Sequence, residues 1–154
     1  LQKAKPEELF MLKNLRHRET KNDLLNEDII INETSHSWDV SFCKLPIQYK
    51  LDYALLRKDE VVAFAEIKKR NNTISKYSTY MISLGKILAG RQLTSVTGKK
   101  CFLVVGFTDI TAFVNMDVDF TTKMGGRFDR NDWQDYEPTC HIDIHKFKKL
   151  NKRG

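Results

Sequence analysis

Apolar and polar positions alternate through KLDYALLRKDEVVAFAEIKKR, Lys50 to Arg70, and predict two strands joined by a tight charged turn. Leu51, Tyr53, Leu55, Val61, Ala63, Ala65 and Ile67 fall on one face; Ala54, Leu56, Val62 and Phe64 fall on the other. A hairpin apolar on both faces belongs inside a sheet covered on both sides. Upstream, KPEELFMLKNLRHRETKNDLLNEDII sets Pro6 and two acids ahead of helix formers, predicting one long helix or two short ones broken near Arg16 to Lys21. SWDVSFCKLPIQYK reads as extended, with Pro46 interrupting it. After the hairpin the period lengthens. Ile74, Tyr77, Met81, Leu84 and Leu88 recur every three or four residues, predicting a helix opened by Thr73 or Ser75 and closed at Gly98, its stripe serving as core. Cys101 to Phe107 and Thr111 to Val118 read as strands turned at Thr108-Asp109. TTKMGGRFDRNDWQDYEPT reads as a polar loop, CHIDIHKF as a last strand, and KKLNKRG as a basic tail.

The order helix, strand, hairpin, helix, strands predicts an α/β sandwich whose mixed sheet has its middle buried by a helix on each side. A chain of 154 residues is long enough to bury a core without disulfides or a structural metal. No apolar run approaches the roughly 18 residues of a membrane span, and no charged-then-apolar leader opens the sequence. The expectation is an intracellular protein, cytoplasmic or nucleic-acid-associated, not secreted and not membrane-bound. Because residue 1 is Leu, the chain is expected to be trimmed or cut from something longer. Cys43, Cys101 and Cys140 are odd in number and form no Cys-x-x-Cys pair, so neither a disulfide framework nor a zinc ribbon is supported. Cys43 and Cys101 lie in strand-like runs and read as buried free thiols of a reducing compartment. The net charge of +6 favours polyanionic partners, although charge alone does not require one.

Against this ordinary background the hairpin carries Asp52 on one strand, and Glu66 and Lys68 on the next. Burying a carboxylate costs several kcal/mol (order of magnitude) unless it is paired or metal-bound. Glu66 and Lys68, two residues apart, face the same side. Register decides whether Asp52 joins them. A two-residue turn at Lys58-Asp59 sets Asp52 against Ala65, on the wrong face. A three-residue loop at Lys58-Asp59-Glu60, or an equivalent bulge, sets it across from Glu66 with Cβ atoms about 5 Å apart. The odd-length arrangement is the expected one. Two facing carboxylates repel, and a hard cation between them, Mg²⁺ with its waters, relieves the repulsion. Lys68 is then placed to hold a water or to neutralise charge on a phosphate. The competing reading is a structural salt bridge at the rim of the sheet, and Glu-x-Lys by itself is a common tripeptide.

Leu51-Asp52 followed by Glu66-Ile67-Lys68 resembles the signature of the PD-(D/E)XK, or restriction-endonuclease-like, nuclease superfamily, with Leu51 where proline is usual. The resemblance implies an α-β-β-β-α-β sandwich with a central mixed sheet flanked by helices. It divides a single domain, 1–154, into a helical region 1–35, a catalytic core 46–107, a polar loop 119–139, and a last strand with basic tail 140–154. It further implies that Asp52 and Glu66 bind Mg²⁺, with Mn²⁺ able to substitute, that the Ile67 carbonyl is a third ligand, and that Lys68 positions the attacking water. A helical acid often completes such sites; Glu7, Glu8 and Glu19 are candidates, Glu8 foremost.

The implied activity is metal-dependent endonucleolytic hydrolysis of DNA. The alternatives are a structure-selective nuclease of Holliday junctions or RNA on the same site, or a binding module that kept the fold and lost catalysis. The Gln-x-x-x-Tyr element of RecB-like exonucleases is not evident, and the size resembles phage-type or junction-resolving members. Cutting both strands of duplex or branched DNA with one site per chain requires a homodimer or sequential nicking. Lys69, Arg70, Lys76, Lys86 and Arg91 form a candidate phosphate track. Tyr77 and Tyr80 either stack on bases or pack in the core. Arg127 and Arg130, in the Gly-rich loop with Trp133, either clamp DNA or belong to an ordinary surface loop. The tail lysines read as a solvated end. His141-x-Asp143-x-His145 mimics a metal site but fits the wet face of an edge strand better.

Overall fold

The structure, a computed structural model, describes residues 21–124 and 138–151. Helix α1 (Lys21–Trp38) turns Ile30 and Ile31 inward, and the Thr34 hydroxyl bonds back to the Ile30 carbonyl at 2.8 Å. The helix stops where Asp39 adopts a left-handed conformation (φ 55°) and the Val40 N–H reaches the Ser35 carbonyl. Arg57 donates to the Trp38 carbonyl at 2.9 Å, so a cation meets the negative end of the helix.

Strands β1 (Ser41–Lys44), β2 (Tyr53–Arg57), β3 (Glu60–Lys69), β5 (Lys100–Gly106), β6 (Thr111–Asn115) and β9 (Lys148–Lys149) form one sheet in the order β1-β2-β3-β5-β6-β9. Only β3 and β5 are parallel; every other pair is antiparallel. The crossover between them carries β4 (Thr79–Ser83) and α2 (Leu84–Thr97). β4 joins β7 (Thr121–Met124) and β8 (Pro138–Asp143) in a second sheet, ordered β4-β8-β7. The result is the expected α/β sandwich, a mixed central sheet flanked by helices. α1 covers one face of the main sheet, packing on Tyr53, Leu55, Ala65, Ile67 and Val104, with Trp38 edge-on to Phe113. α2 and the second sheet cover the other, where Ile87, Ile82 and Ile142 meet Ala54, Phe64, Leu103 and Val105.

Several expectations needed revision. The helix expected from residue 75 begins only at Leu84. Residues 79–83 alternate, Tyr80 and Ile82 buried and Met81 exposed, and they pair with β8. Helical spacing and strand alternation coincide over so short a run, and the available strand partner decides between them. Ser83, whose hydroxyl accepts the Lys86 N–H, is the true N-cap, while Gly98 (φ 72°) ends the helix as expected. Tyr77, Met81 and Leu88 of the expected stripe are exposed. The 119–139 loop contains β7 and the start of β8; Gly125, Gly126 and Trp133 lie outside the described residues. β8 lies between two neighbours and is no edge strand, and His145 sits in a following 3₁₀ turn. The tail is tied down by β9 and by buried Phe147 and Leu150, not solvated throughout. Cys43 is exposed, because β1 is the edge of its sheet.

Gly106, at the end of β5, lets α1 approach closely. A Cβ there would lie 2.7 Å from Ile30 Cδ1 and 3.0 Å from Ile30 Cγ1, and Ile30 is buried. Gly106→Ala is expected to lower stability by about 1–3 kcal/mol. Gly90→Ala should cost less, because its Cβ meets the flexible end of Met116 and gains helix propensity. Urea midpoints at unchanged m-value measure both.

Candidate active site

The site is set by one extra residue. β2 and β3 are joined by the two-residue turn Lys58-Asp59, both left-handed (φ 51° and 63°), the geometry that suits a tight hairpin. Arg57 therefore pairs with Glu60 and Leu56 with Val61, but Leu55 pairs with Ala63: Val62 is a bulge. The bulge supplies the odd residue that the turn lacks. It moves Val61 to the face opposite the one expected, against the α2 side of the core. Beyond it Tyr53 pairs with Ala65, and continuing that register sets Asp52 across from Glu66. The entry to Asp52 is pinned as well. A 3₁₀ turn at Ile47–Tyr49 closes with Lys50 left-handed (φ 62°), and the Leu45 N–H bonds to the Asp52 carbonyl at 2.8 Å.

Asp52 is half-buried; its Oδ2 accepts the Ile67 N–H at 2.8 Å and its Oδ1 lies 3.8 Å from Lys44 Nζ. Glu66 is only 1% exposed. Two ammonium groups approach its Oε1, Lys86 at 3.2 Å and Lys68 at 3.7 Å. Its Oε2 is buried and has no hydrogen-bond partner. Burial, and next the charge of Asp52, push the Glu66 carboxyl up to about 7, against the pull of Lys86 and Lys68. A buried carboxylate with an unused oxygen is costly unless something positive meets it. Oε2 is the atom of this carboxylate left unmatched, since both ammonium groups lie on Oε1. Asp52, Glu66 and the Ile67 carbonyl are hard oxygen donors, as Mg²⁺ prefers. Among the described residues no three His, Cys, Asp or Glu side chains gather to hold a metal, so the carboxylate donors there number two.

A second carboxylate group borders the first. Glu27 of α1 pairs with Lys44, whose ammonium also lies 4.9 Å from the Tyr53 ring centroid. Burial raises the Glu27 pKa, Asp52 adds to the rise, and Lys44 and the Tyr53 hydroxyl oppose it. Sequence reading missed Glu27 and looked to Glu7, Glu8 and Glu19, all outside the described residues. Only the seating of Ile30 and Ile31 on the sheet shows which acids of α1 turn toward Asp52.

The residues expected along a phosphate track separate. Lys69 and Lys76 are exposed, Lys76 lying over Tyr77. Arg70 covers the Tyr80 ring, 4.8 Å from its centroid, and donates to the Met81 carbonyl. Lys86 does not reach outward: it bonds the Lys50 carbonyl and Glu66, inside the site. Arg91 is held by the Met116 and Val118 carbonyls and Phe120, an anchor for the segment after β6. Tyr80, expected at the nucleic-acid surface, is 4% exposed and sits in the core because β4 turns it inward; the exposed ring is Tyr77. Arg127 and Arg130 lie outside the described residues. His141 bonds the hydroxyls of Thr79 and Thr139, a structural role that leaves no metal triad with Asp143 and His145.

A sandwich whose two central strands bring an Asp opposite a Glu-x-Lys defines the PD-(D/E)XK nuclease superfamily. Within it, the chain belongs to the family described as "Phage putative PDDEXK endonuclease", whose model matches residues 14–150. Among solved structures it is similar to Archaeoglobus fulgidus Hjc, a Holliday junction resolvase from an archaeal hyperthermophile. The TM-score is 0.51 and identity 10%, over 80% of this chain and 86% of that one, a likeness of fold. No curated protein matches the chain.

Proposed function

We propose that this protein is a divalent-metal-dependent endonuclease that hydrolyses phosphodiesters in DNA and selects branched structure, such as a four-way junction. The observation that carries the reading is the buried, unpaired Glu66 Oε2 beside Asp52. Asp52, Glu66 and the Ile67 carbonyl would hold Mg²⁺, or Mn²⁺ in its place, and Glu27 would complete the acidic surround. The bound cation supplies Lewis-acid stabilisation of charge on the phosphate. Lys68, 41% exposed in its side chain, reaches the reaction side and orients a water for in-line attack, so that the P–O bond opposite it breaks. Lys86, more enclosed, favours the ionised form of Glu66. Preference for branched DNA is supported by the fold shared with a junction resolvase; two cuts in one junction would use two copies of the chain.

A second reading, a DNA-binding module without catalysis, is favoured by the pair of lysines on Glu66 and by the two-carboxylate donor set. The test is cleavage of supercoiled plasmid, linear duplex, RNA and a four-way junction with Mg²⁺, Mn²⁺ or EDTA. The proposed activity should appear with either metal, fastest on the junction, and vanish in EDTA and in Asp52→Asn. Binding of the junction without cleavage under any divalent metal would establish the second reading. Cleavage that survives EDTA would remove the metal mechanism.

A further inference from the structure

Among the described residues, two buried side-chain atoms lack a hydrogen-bond partner: Glu66 Oε2 and the Tyr80 hydroxyl. The first belongs to the candidate metal position. The second belongs to Tyr80, a residue that also lines a cavity of about 480 Å³ next to Arg70, just past the end of β3, within the range of about 300–1,000 Å³ that small-ligand sites occupy. Arg70, Asn72, Tyr77, Tyr80, Met81 and His141 form much of its wall. We propose that this cavity receives an unpaired nucleobase of the substrate strand beside the scissile phosphate. The proposal rests on the nuclease reading and names the substrate feature that the same site selects.

Four observations support a base as occupant. The wall is mainly apolar, with a few polar groups set into it, as a flat heteroaromatic ring requires. The Tyr77 ring is 56% exposed at the rim, and the Arg70 guanidinium is spread over Tyr80; both offer planes on which a base stacks. Arg70 in the wall and Lys76, over the Tyr77 ring at the rim, make the approach cationic, which suits a polyanionic strand and disfavours an uncharged apolar ligand. The distance is also right: Arg70 follows Lys68 by two residues, roughly 7 Å of extended chain, so a phosphate at Lys68 and a base at Arg70 belong to the same or adjacent nucleotides. Burial pushes the Tyr80 hydroxyl pKa up, Arg70 opposes the rise and Glu66 adds to it. An edge nitrogen or carbonyl of the base would give this hydroxyl the partner it lacks.

The experiment compares a fully paired duplex with the same duplex carrying one unpaired adenine, bound in Ca²⁺ and followed by fluorescence anisotropy. Wild-type protein should bind the bulged duplex about tenfold more tightly. Tyr77→Ala and Tyr80→Phe should each remove most of that preference while leaving affinity for the paired duplex unchanged. Tyr80→Phe keeps the core ring and loses only the unpaired hydroxyl, so its melting temperature should hold or rise. Equal affinity of wild type for the two duplexes, or a preference that both variants retain, overturns the pocket. Mg²⁺-dependent cleavage of the paired duplex is measured alongside. An active protein without the preference loses the pocket alone; an inactive protein with it loses the nuclease reading and keeps a base-binding cavity.

Discussion

Glu66→Gln is expected to abolish cleavage and, in metal-free buffer, to make the protein more stable at pH 8 than the wild type. The loss of activity should be at least on the order of a thousandfold, because removing a ligand forfeits several kcal/mol of charge stabilisation on the phosphate. The gain in stability follows from the position of the carboxyl. Its folded value near 7 lies above the ordinary 4.5, so between those values the native state holds more protons than the unfolded chain. Stability from this group is therefore fully present below about 4.5 and declines as pH rises through about 7. At about 1.4 kcal/mol per pH unit the loss amounts to roughly 3 kcal/mol as an upper figure. Glutamine carries no charge to bury and removes that slope. Thermal unfolding from pH 4.5 to 8.5 in EDTA measures it, and wild type and variant should converge at the acid end. Adding Mg²⁺ should raise the melting temperature of the wild type and leave that of Glu66→Gln unchanged. A variant less stable than wild type at pH 8 would mean that the carboxylate is satisfied in the native protein and that no cation position is needed.

Lys68→Met and Lys86→Met are expected to separate the roles of two lysines that meet at the same Glu66 oxygen. Both ammonium groups touch Glu66 Oε1, but Lys68 is the more open and Lys86 is tied to the Lys50 carbonyl. Lys68→Met should lower kcat by about a hundredfold or more at every pH, the scale of a lost proton-handling or water-orienting group. Lys86→Met should act through Glu66. Without Lys86, the carboxyl loses the largest influence that lowers its pKa, so the value rises further and less carboxylate is present at pH 7. The Mg²⁺ requirement should then increase at neutral pH and approach that of wild type as the pH is raised. Rates and metal titrations across pH 6.5–9 read out both. A Lys86→Met enzyme with a deficit independent of pH and metal would assign that lysine to substrate contact.

How much of this was legible beforehand differs from one residue to the next. Asp52, Glu66 and Lys68 could be found because two-residue periodicity fixes which strand side chains share a face. That reading also required an odd residue somewhere in the hairpin, and Val62 supplies it. The location of the bulge could not be read, since any residue between Arg57 and Ala63 would restore the same register downstream. Glu27 and Lys86 were not recognised as neighbours of the site. They come from α1 and α2, and a helix presents its acids and lysines in every direction until its apolar side is seated. Tyr77 and Tyr80 show the same limit in reverse: three residues apart, they share a helical face, but Tyr77 follows a 3₁₀ turn outside the strand, while Tyr80 lies in β4, whose pairing with β8 turns it inward.

The sequence by itself determined the alternation of the hairpin, the odd register it demands, the paired acids with their lysine, and the glycine stop after α2. These follow from local sterics and short-range periodicity, which act within a few bonds. Only the tertiary structure decided that residues 79–83 would be a strand, that α1 would bring Glu27 toward Asp52, that Lys86 would close over Glu66, and that a cavity would open beside Arg70. Each of those outcomes depends on segments distant in the chain competing for the same apolar surface, and the winner is the packing that leaves the fewest polar groups unmatched.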